Sequence, residues 1–209
     1  MKLSEIKQVI GALARVEGPD ELDIRYLCTD SRQLSAISRQ PSAEDTLFFA
    51  IKTAKNDGAK YIPELREKGV QAFVTGDSVA ALQALAAHVR AQFKGTVIGI
   101  TGSNGKTVVK EWLYQLLKDD YTIIRSPKSY NSQIGVPLSV WELSAISRQK
   151  AEKPVLAIFE AGISQPGEME KLEPIIRPTI GVITGTMSGM RSARTTPGRT
   201  ALIILTFLA

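Results

Sequence analysis

The chain has one cysteine, Cys28, and one histidine, His88. A single thiol excludes an internal disulfide, and with no signal-peptide pattern at the N-terminus it points to a reducing, cytoplasmic setting. His88 has no Cys, Asp or Glu at metal-ligand spacing and reads as a surface residue on a helix flank. Apolar runs are short. The longest, Ala201 to Ala209 with Thr206 inside it, falls far below the roughly 20 residues of a membrane-spanning helix, so no membrane partner is expected. The lysines and arginines behind the formal charge of +5 are scattered, not gathered into a stripe with aromatics between, which disfavours a nucleic-acid partner. What the chain does have is a 44% hydrophobic share, ample for a packed core, in 209 residues that could form one large domain or two small ones.

The rest is organised around Gly99-Ile100-Thr101-Gly102-Ser103-Asn104-Gly105-Lys106-Thr107. Thr96 to Ile100 reads as a buried strand and a helical pattern opens at Thr107, so a strand feeds a glycine-rich turn that starts a helix. First-turn amides of a helix have no partner of their own, and with the positive helix end they converge on an anion. Gly102 and Gly105 let the backbone approach a phosphate, with Ser103 and Asn104 between them. Lys106 supplies a point charge, and the Thr107 hydroxyl is a Mg²⁺ ligand type. The general P-loop pattern asks for glycine five residues before Gly105; that position is Ile100, and the glycine stands one residue earlier.

Along the chain, Ser4 is placed to cap a first helix with Ile6, Val9, Ile10 and Leu13 on one face. Ile24 to Cys28 reads as a strand running into the polar cluster Thr29-Asp30-Ser31-Arg32. Thr46 to Ile51 is a second strand, Ile62 to Lys68 a helix and Gln71 to Val74 a third strand. Asp77 or Ser78 caps the next helix, in which Val79, Leu82, Leu85, Ala86, Val89 and Phe93 keep helical period. Lys94-Gly95 marks a domain boundary. Beyond it strands alternate with helices: Thr96 to Ile100, the Thr107 helix with Trp112, Leu113, Leu116 and Leu117, Tyr121 to Ile124, a helix opening near Pro137, Val155 to Phe159, Gly167 to Leu172, and Thr179 to Thr184. That rhythm predicts an α/β fold with a doubly wound parallel sheet, whose ligands sit at the carboxyl ends of strands, where the glycine-rich loop and Glu160 both lie. The heptapeptide Leu-Ser-Ala-Ile-Ser-Arg-Gln occurs at Leu34 to Gln40 and again at Leu143 to Gln149, each in a connecting segment, and no physical reason for it is evident. From Gly185 to Arg199 the α/β rhythm stops.

The string Thr-Gly-Ser-Asn-Gly-Lys-Thr resembles the phosphate loop of the Mur ligases, the ATP-dependent amide-forming enzymes of peptidoglycan synthesis. Asp30-Ser31-Arg32, Leu47 to Ile51 and Asp57-Gly58 are similar to their N-terminal domain, Asn131 to Leu138 to the segment after the phosphate-loop helix, and Phe159-Glu160-Ala161-Gly162-Ile163 to an acidic strand end. The likeness runs from residue 1 to about 184. It implies a UDP-sugar substrate domain over 1–95, an incomplete ATP-binding central domain over 96–184 and a divergent tail over 185–209. It also implies ATP and Mg²⁺ as cofactors, with UDP-MurNAc-peptide and D-Ala-D-Ala as small-molecule substrates joined through an acyl phosphate. The strings are most similar to the branch that in some bacteria is fused to an alanine racemase. On this resemblance Gly102 to Thr107 bind ATP, with Lys106 at its β and γ phosphates and Thr107 on one Mg²⁺. Glu160 holds a second Mg²⁺, Asn131 reaches the γ-phosphate, and Ser31 with Arg32 contacts the UDP moiety.

Part of the family pattern is absent. After the last strand the family carries an Asn and a His that completes the metal site, then a lysine and a C-terminal domain, whereas here no histidine follows His88. The expectation is therefore a truncated or frame-shifted ligase with negligible turnover, or, as the alternative, a non-catalytic module that holds a UDP-sugar and ATP. A different Mur ligase or a generic P-loop NTPase are the remaining readings.

Overall fold

Leu47, Phe48 and Phe49 are all buried, which is how a strand reads when both faces of its sheet are covered. In a computed structural model, which describes residues 1–34, 42–146, 152–162, 167–185 and 201–205 (33–34 and 201–205 by backbone alone), these residues lie on one of the two inner strands of the sheet in the first of two compact units, Met1–His88 and Val89–Ala209. The first unit runs α1 (Leu3–Ile10), β1 (Ala14–Glu17), β2 (Tyr26–Cys28), β3 (Thr46–Phe49), α2 (Ile62–Glu67), β4 (Ala72–Gly76) and α3 (Ser78–Gln92), whose last turn crosses into the second unit. Its sheet has the order β1-β4-β3-β2, parallel except for β1, which pairs antiparallel with β4. Cys28, Phe48, Leu65, Val70 and Phe73 pack as a core, with Phe48 and Phe73 edge to face at 6.4 Å.

Local chemistry departs from the sequence reading in three places here. Ser4 is not a cap: α1 begins at Leu3, and its first amides are taken by backbone, Leu3 N–H by Leu22 O and Ser4 N–H by Asp20 O. β1 was not foreseen, because Ala14-Arg15-Val16-Glu17 is short and polar at alternate positions, and Leu13 beside it is 48% exposed. Of the two possible caps of α3, Asp77 serves, accepting from Ala80 N–H, while the Ser78 hydroxyl donates to Ala50 O and Val74 O and ties the helix start to the sheet.

The second unit continues with β5 (Thr96–Gly102), α4 (Lys106–Leu117), β6 (Thr122–Arg125), α5 (Gly135–Trp141), α6 (Leu143–Ile146), β7 (Val155–Glu160), α7 (Glu168–Ile176), β8 (Ile180–Thr184) and β9 (Ala201–Leu205). All its strands are parallel, in the order β6-β7-β5-β8-β9, so the strand that carries the glycine-rich loop lies at the centre and the chain order reverses about it. This is the doubly wound arrangement, with its crevice at the carboxyl ends of β5, β7 and β8. Residues 201–205, in the stretch expected to be a divergent tail, pair parallel with β8. Ile98, Ile100, Val109, Leu156 and Ile158 form the core, against which Leu113 and Leu117 of α4 pack. Trp112 and Leu116 from the same helical run point outward, 54% and 74% exposed. The two copies of the heptapeptide share no structure that can be compared: Leu143–Ile146 is helical, and most of the first copy with the end of the second lies outside the described residues.

Candidate functional site

The glycine-rich loop needs its glycines for stated steric reasons. Gly102 has φ +133°, and a Cβ there would stand 1.9 Å from Thr184 O, so the loop leaves β5 pressed against the end of β8. Gly185, the residue after Thr184, also lies close to the loop: a Cβ there would meet Ser103 Oγ at 2.5 Å. Gly105 has φ +79° and is the N-cap of α4. Val109 N–H is the first to find its helical acceptor, Gly105 O, so the amides of Lys106, Thr107 and Val108 have none within the helix and open on the loop. The Lys106 ammonium folds back over the loop and donates to Gly102 O at 2.8 Å, closing a ring from the loop's first residue to its last. A cation, first-turn amides and a helix dipole thus share one concave turn.

Behind this loop α4 presents two side chains to the end of β7. Glu160 pairs in register with Ile100 on β5, two residues before Gly102, and is fully buried. Its Oε2 accepts from the Thr107 hydroxyl at 3.0 Å, and its Oε1 lies 2.8 Å from the ammonium of Lys110, also fully buried. That approach is ionic without a well-aimed hydrogen, so Oε1 has no hydrogen-bond donor. Ser126 Oγ takes the Glu160 N–H. Lys110 escaped the sequence reading. The signal was present in the helical period, which puts Lys110 on the same face as Leu113 and Leu117 and therefore in the core.

Asn131 is brought to the same strand end by backbone: its carbonyl accepts from Gly162 N–H at 2.8 Å. A Cβ on Gly162 would meet Asn131 Cγ at 2.9 Å, so only glycine lets the two segments close up. Gly102, Ser103, Asn104, Gly105, Lys106, Thr107, Asn131 and Glu160 therefore gather within the second unit. Ser31 and Arg32 lie in the first, just after β2. Ser31 is buried, while Arg32 is exposed and forks onto Asp30, Nε to Oδ1 at 2.9 Å and Nη2 to Oδ2 at 2.7 Å. That guanidinium holds the Asp30 carboxyl below its ordinary range. Nearby, burial raises the Cys28 thiol from 9.0 to about 11, which marks it as inert. A cavity of about 430 Å³ in this unit, lined by Glu17, Arg66 and Phe73, contains none of the residues singled out from the sequence.

A model of the Mur ligase middle domain matches residues 100–186, the loop, α4, β7 and β8 together. Residues 100–186 carry a Mur ligase middle domain. The chain is similar to the UDP-N-acetylmuramoyl-tripeptide--D-alanyl-D-alanine ligases of Borreliella burgdorferi, 31% identical over 77% of the chain and 37% of that protein, and of Bacillus subtilis, 28% over 85% and 39%. MurF of Thermotoga maritima, solved in complex with ADP, is 28% identical with a TM-score of 0.59, over 79% of this chain and 38% of that one. Acinetobacter baumannii MurF shares the fold at a TM-score of 0.70 and 23% identity, over 87% of this chain and 40% of that one. The chain thus spans about 40% of the length of the relatives it matches. None of these comparisons involves an alanine racemase.

Two ligands in adjacent positions on an octahedral Mg²⁺ ion at 2.0–2.1 Å stand about 2.9 Å apart, and Thr107 Oγ1 and Glu160 Oε2 are 3.0 Å apart. Among the described residues no three His, Cys, Asp or Glu gather into a metal cage. One hydroxyl and one carboxylate suit an ion whose other ligands are phosphate and water. The residues present fit that ion.

Proposed function

We propose that this chain holds ATP with Mg²⁺ and a UDP-MurNAc-peptide for an ATP-dependent ligation in the cytoplasm, the addition of D-Ala-D-Ala to the tripeptide. The observation that carries the reading is the Thr107–Glu160 contact behind the glycine-rich loop. Bound ATP would supply a phosphoryl group to the peptide carboxylate, so that an amine can then displace phosphate and leave an amide. The protein's share is alignment and charge neutralisation, since carboxylate and triphosphate repel each other. Lys106 would leave Gly102 O for the β and γ phosphates, and the amides of Gly105 to Val108 would add hydrogen bonds. Gly102, Ser103 and Asn104 shape the turn. Thr107 and Glu160, side by side, would hold a single Mg²⁺, where the sequence reading gave each its own. Asn131 would present its amide to the γ-phosphate. In residues 1–95 Arg32, already ordered by Asp30, would meet the UDP diphosphate with Ser31 beside it.

Calorimetric titration of ADP with and without Mg²⁺ tests this. Mg²⁺ should tighten ADP at least tenfold in the native chain and leave Glu160→Gln unchanged, and UDP-MurNAc-tripeptide should bind independently. No Mg²⁺ effect, or equal effects in both proteins, would count against the shared ion, and failure of the UDP-sugar to bind would count against the substrate assignment.

A further inference from the structure

Lys110 is a fully buried ammonium that the phosphate-loop chemistry does not use. Its Nζ donates to Ser126 O at 2.8 Å and to Lys128 O, and faces Glu160 Oε1 at 2.8 Å and Glu111 Oε1 at 3.4 Å. Those partners belong to three segments: α4 itself, the exit of β6 and the end of β7. Lys128 has φ +50°, a left-handed conformation that a non-glycine residue adopts at a cost, and Lys110 holds its carbonyl. Two residues on, Tyr130 N–H bonds to Pro127 O, and Asn131 O takes Gly162 N–H at 2.8 Å, which joins the loop to the β7 end. Outward, Glu111 is shared with Arg125, whose guanidinium lies 3.9 Å over the Tyr114 ring, so charges alternate from the core to the surface.

We propose that Lys110 is a positioning residue: by capping two carbonyls of the 126–131 loop while neutralising Glu160, it fixes Asn131 and Glu160 relative to the phosphate loop. This rests on the nucleotide reading above for its consequence but not for its geometry. Simple charge balance and positioning make different demands. If Lys110 served only to neutralise Glu160, removing both charges would restore everything, because a buried pair replaced by neutral groups leaves no uncompensated ion. If it clamps the loop, Ser126 O and Lys128 O lose their donor in any variant without the ammonium.

Native-state hydrogen exchange on the ligand-free chain separates these, using Lys110→Met and Lys110→Met/Glu160→Gln. The double variant should recover only part of the thermal midpoint that Lys110→Met loses, and the amides of Tyr130 and Gly162 should exchange at least tenfold faster than in the native chain. Native-like exchange at both amides in the folded double variant would overturn the proposal, as would loss of protection spread evenly over the unit. A parallel ADP–Mg²⁺ titration should show at least tenfold weaker binding in the double variant than in Glu160→Gln. If the native chain itself fails to bind ADP, the functional reading fails while the exchange result still decides the clamp.

Discussion

The two units handle charge in opposite ways. In the first, ion pairs lie at the surface: Lys7 with Asp20, Arg25 with Asp45, Arg32 with Asp30 and Lys68 with Glu64 each expose at least one partner. In the second, Lys110 and Glu160 pair with no exposure at all, directly behind the loop that would hold phosphate. Exposed pairs are screened and can be broken singly at small cost, whereas breaking a buried pair strands a charge in the core. Stability and chemistry are therefore separable in the first unit and coupled in the second.

The chain offers a separate reporter for each unit, because both tryptophans, Trp112 and Trp141, lie in the second and the single cysteine in the first. The largest effect is expected from Gly102→Ala, which drives a Cβ onto Thr184 O. It should remove about 5 kcal/mol from the tryptophan-detected urea transition and leave Cys28 accessibility unchanged. Lys110→Met should cost about 3–5 kcal/mol in the same transition, only part of it regained with Glu160→Gln, since the Ser126 and Lys128 carbonyls still lack their donor. Cys28 provides the next contrast. With its thiol raised to about 11 from 9.0, the stability it contributes is complete below about pH 9 and lost as pH rises through 11, about 3 kcal/mol in all. Iodoacetamide at pH 8 should accordingly modify the folded chain at least about a hundredfold more slowly than the urea-unfolded one. The smallest effect on stability belongs to Arg32→Ala, within about 0.5 kcal/mol by urea denaturation, although its UDP-MurNAc-tripeptide affinity should fall. A stability loss there comparable to that of Lys110→Met would erase the distinction between the units.

The alternation of apolar strands with periodic helices made the parallel sheet legible, and Gly102 to Thr107 made the loop legible, because both are local patterns. Glu160 was found for the same reason, standing at the end of the apolar run Val155 to Phe159. What escaped was set by tertiary contact. β1 exists because β4 offers it an edge, not because Ala14-Arg15-Val16-Glu17 favours extension. Ser4 lost its capping role to carbonyls some sixteen to nineteen residues away. Lys110 looks like an ordinary helix lysine until the Ser126 and Lys128 carbonyls are seen to converge on it. That Thr107 and Glu160 touch required the register of β7 on β5, which no local pattern encodes.

The function proposed for the second unit depends on Lys106 and the α4 amides forming a phosphate site. Titration of ADP with Mg²⁺ into the native chain and Lys106→Ala, with tryptophan-detected unfolding as the control, tests it most directly. Lys106→Ala should lose affinity about a hundredfold with an unchanged unfolding transition, since a charge-assisted contact to phosphate is removed and only one bond to Gly102 O is given up. Equal affinity in the two proteins would contradict it.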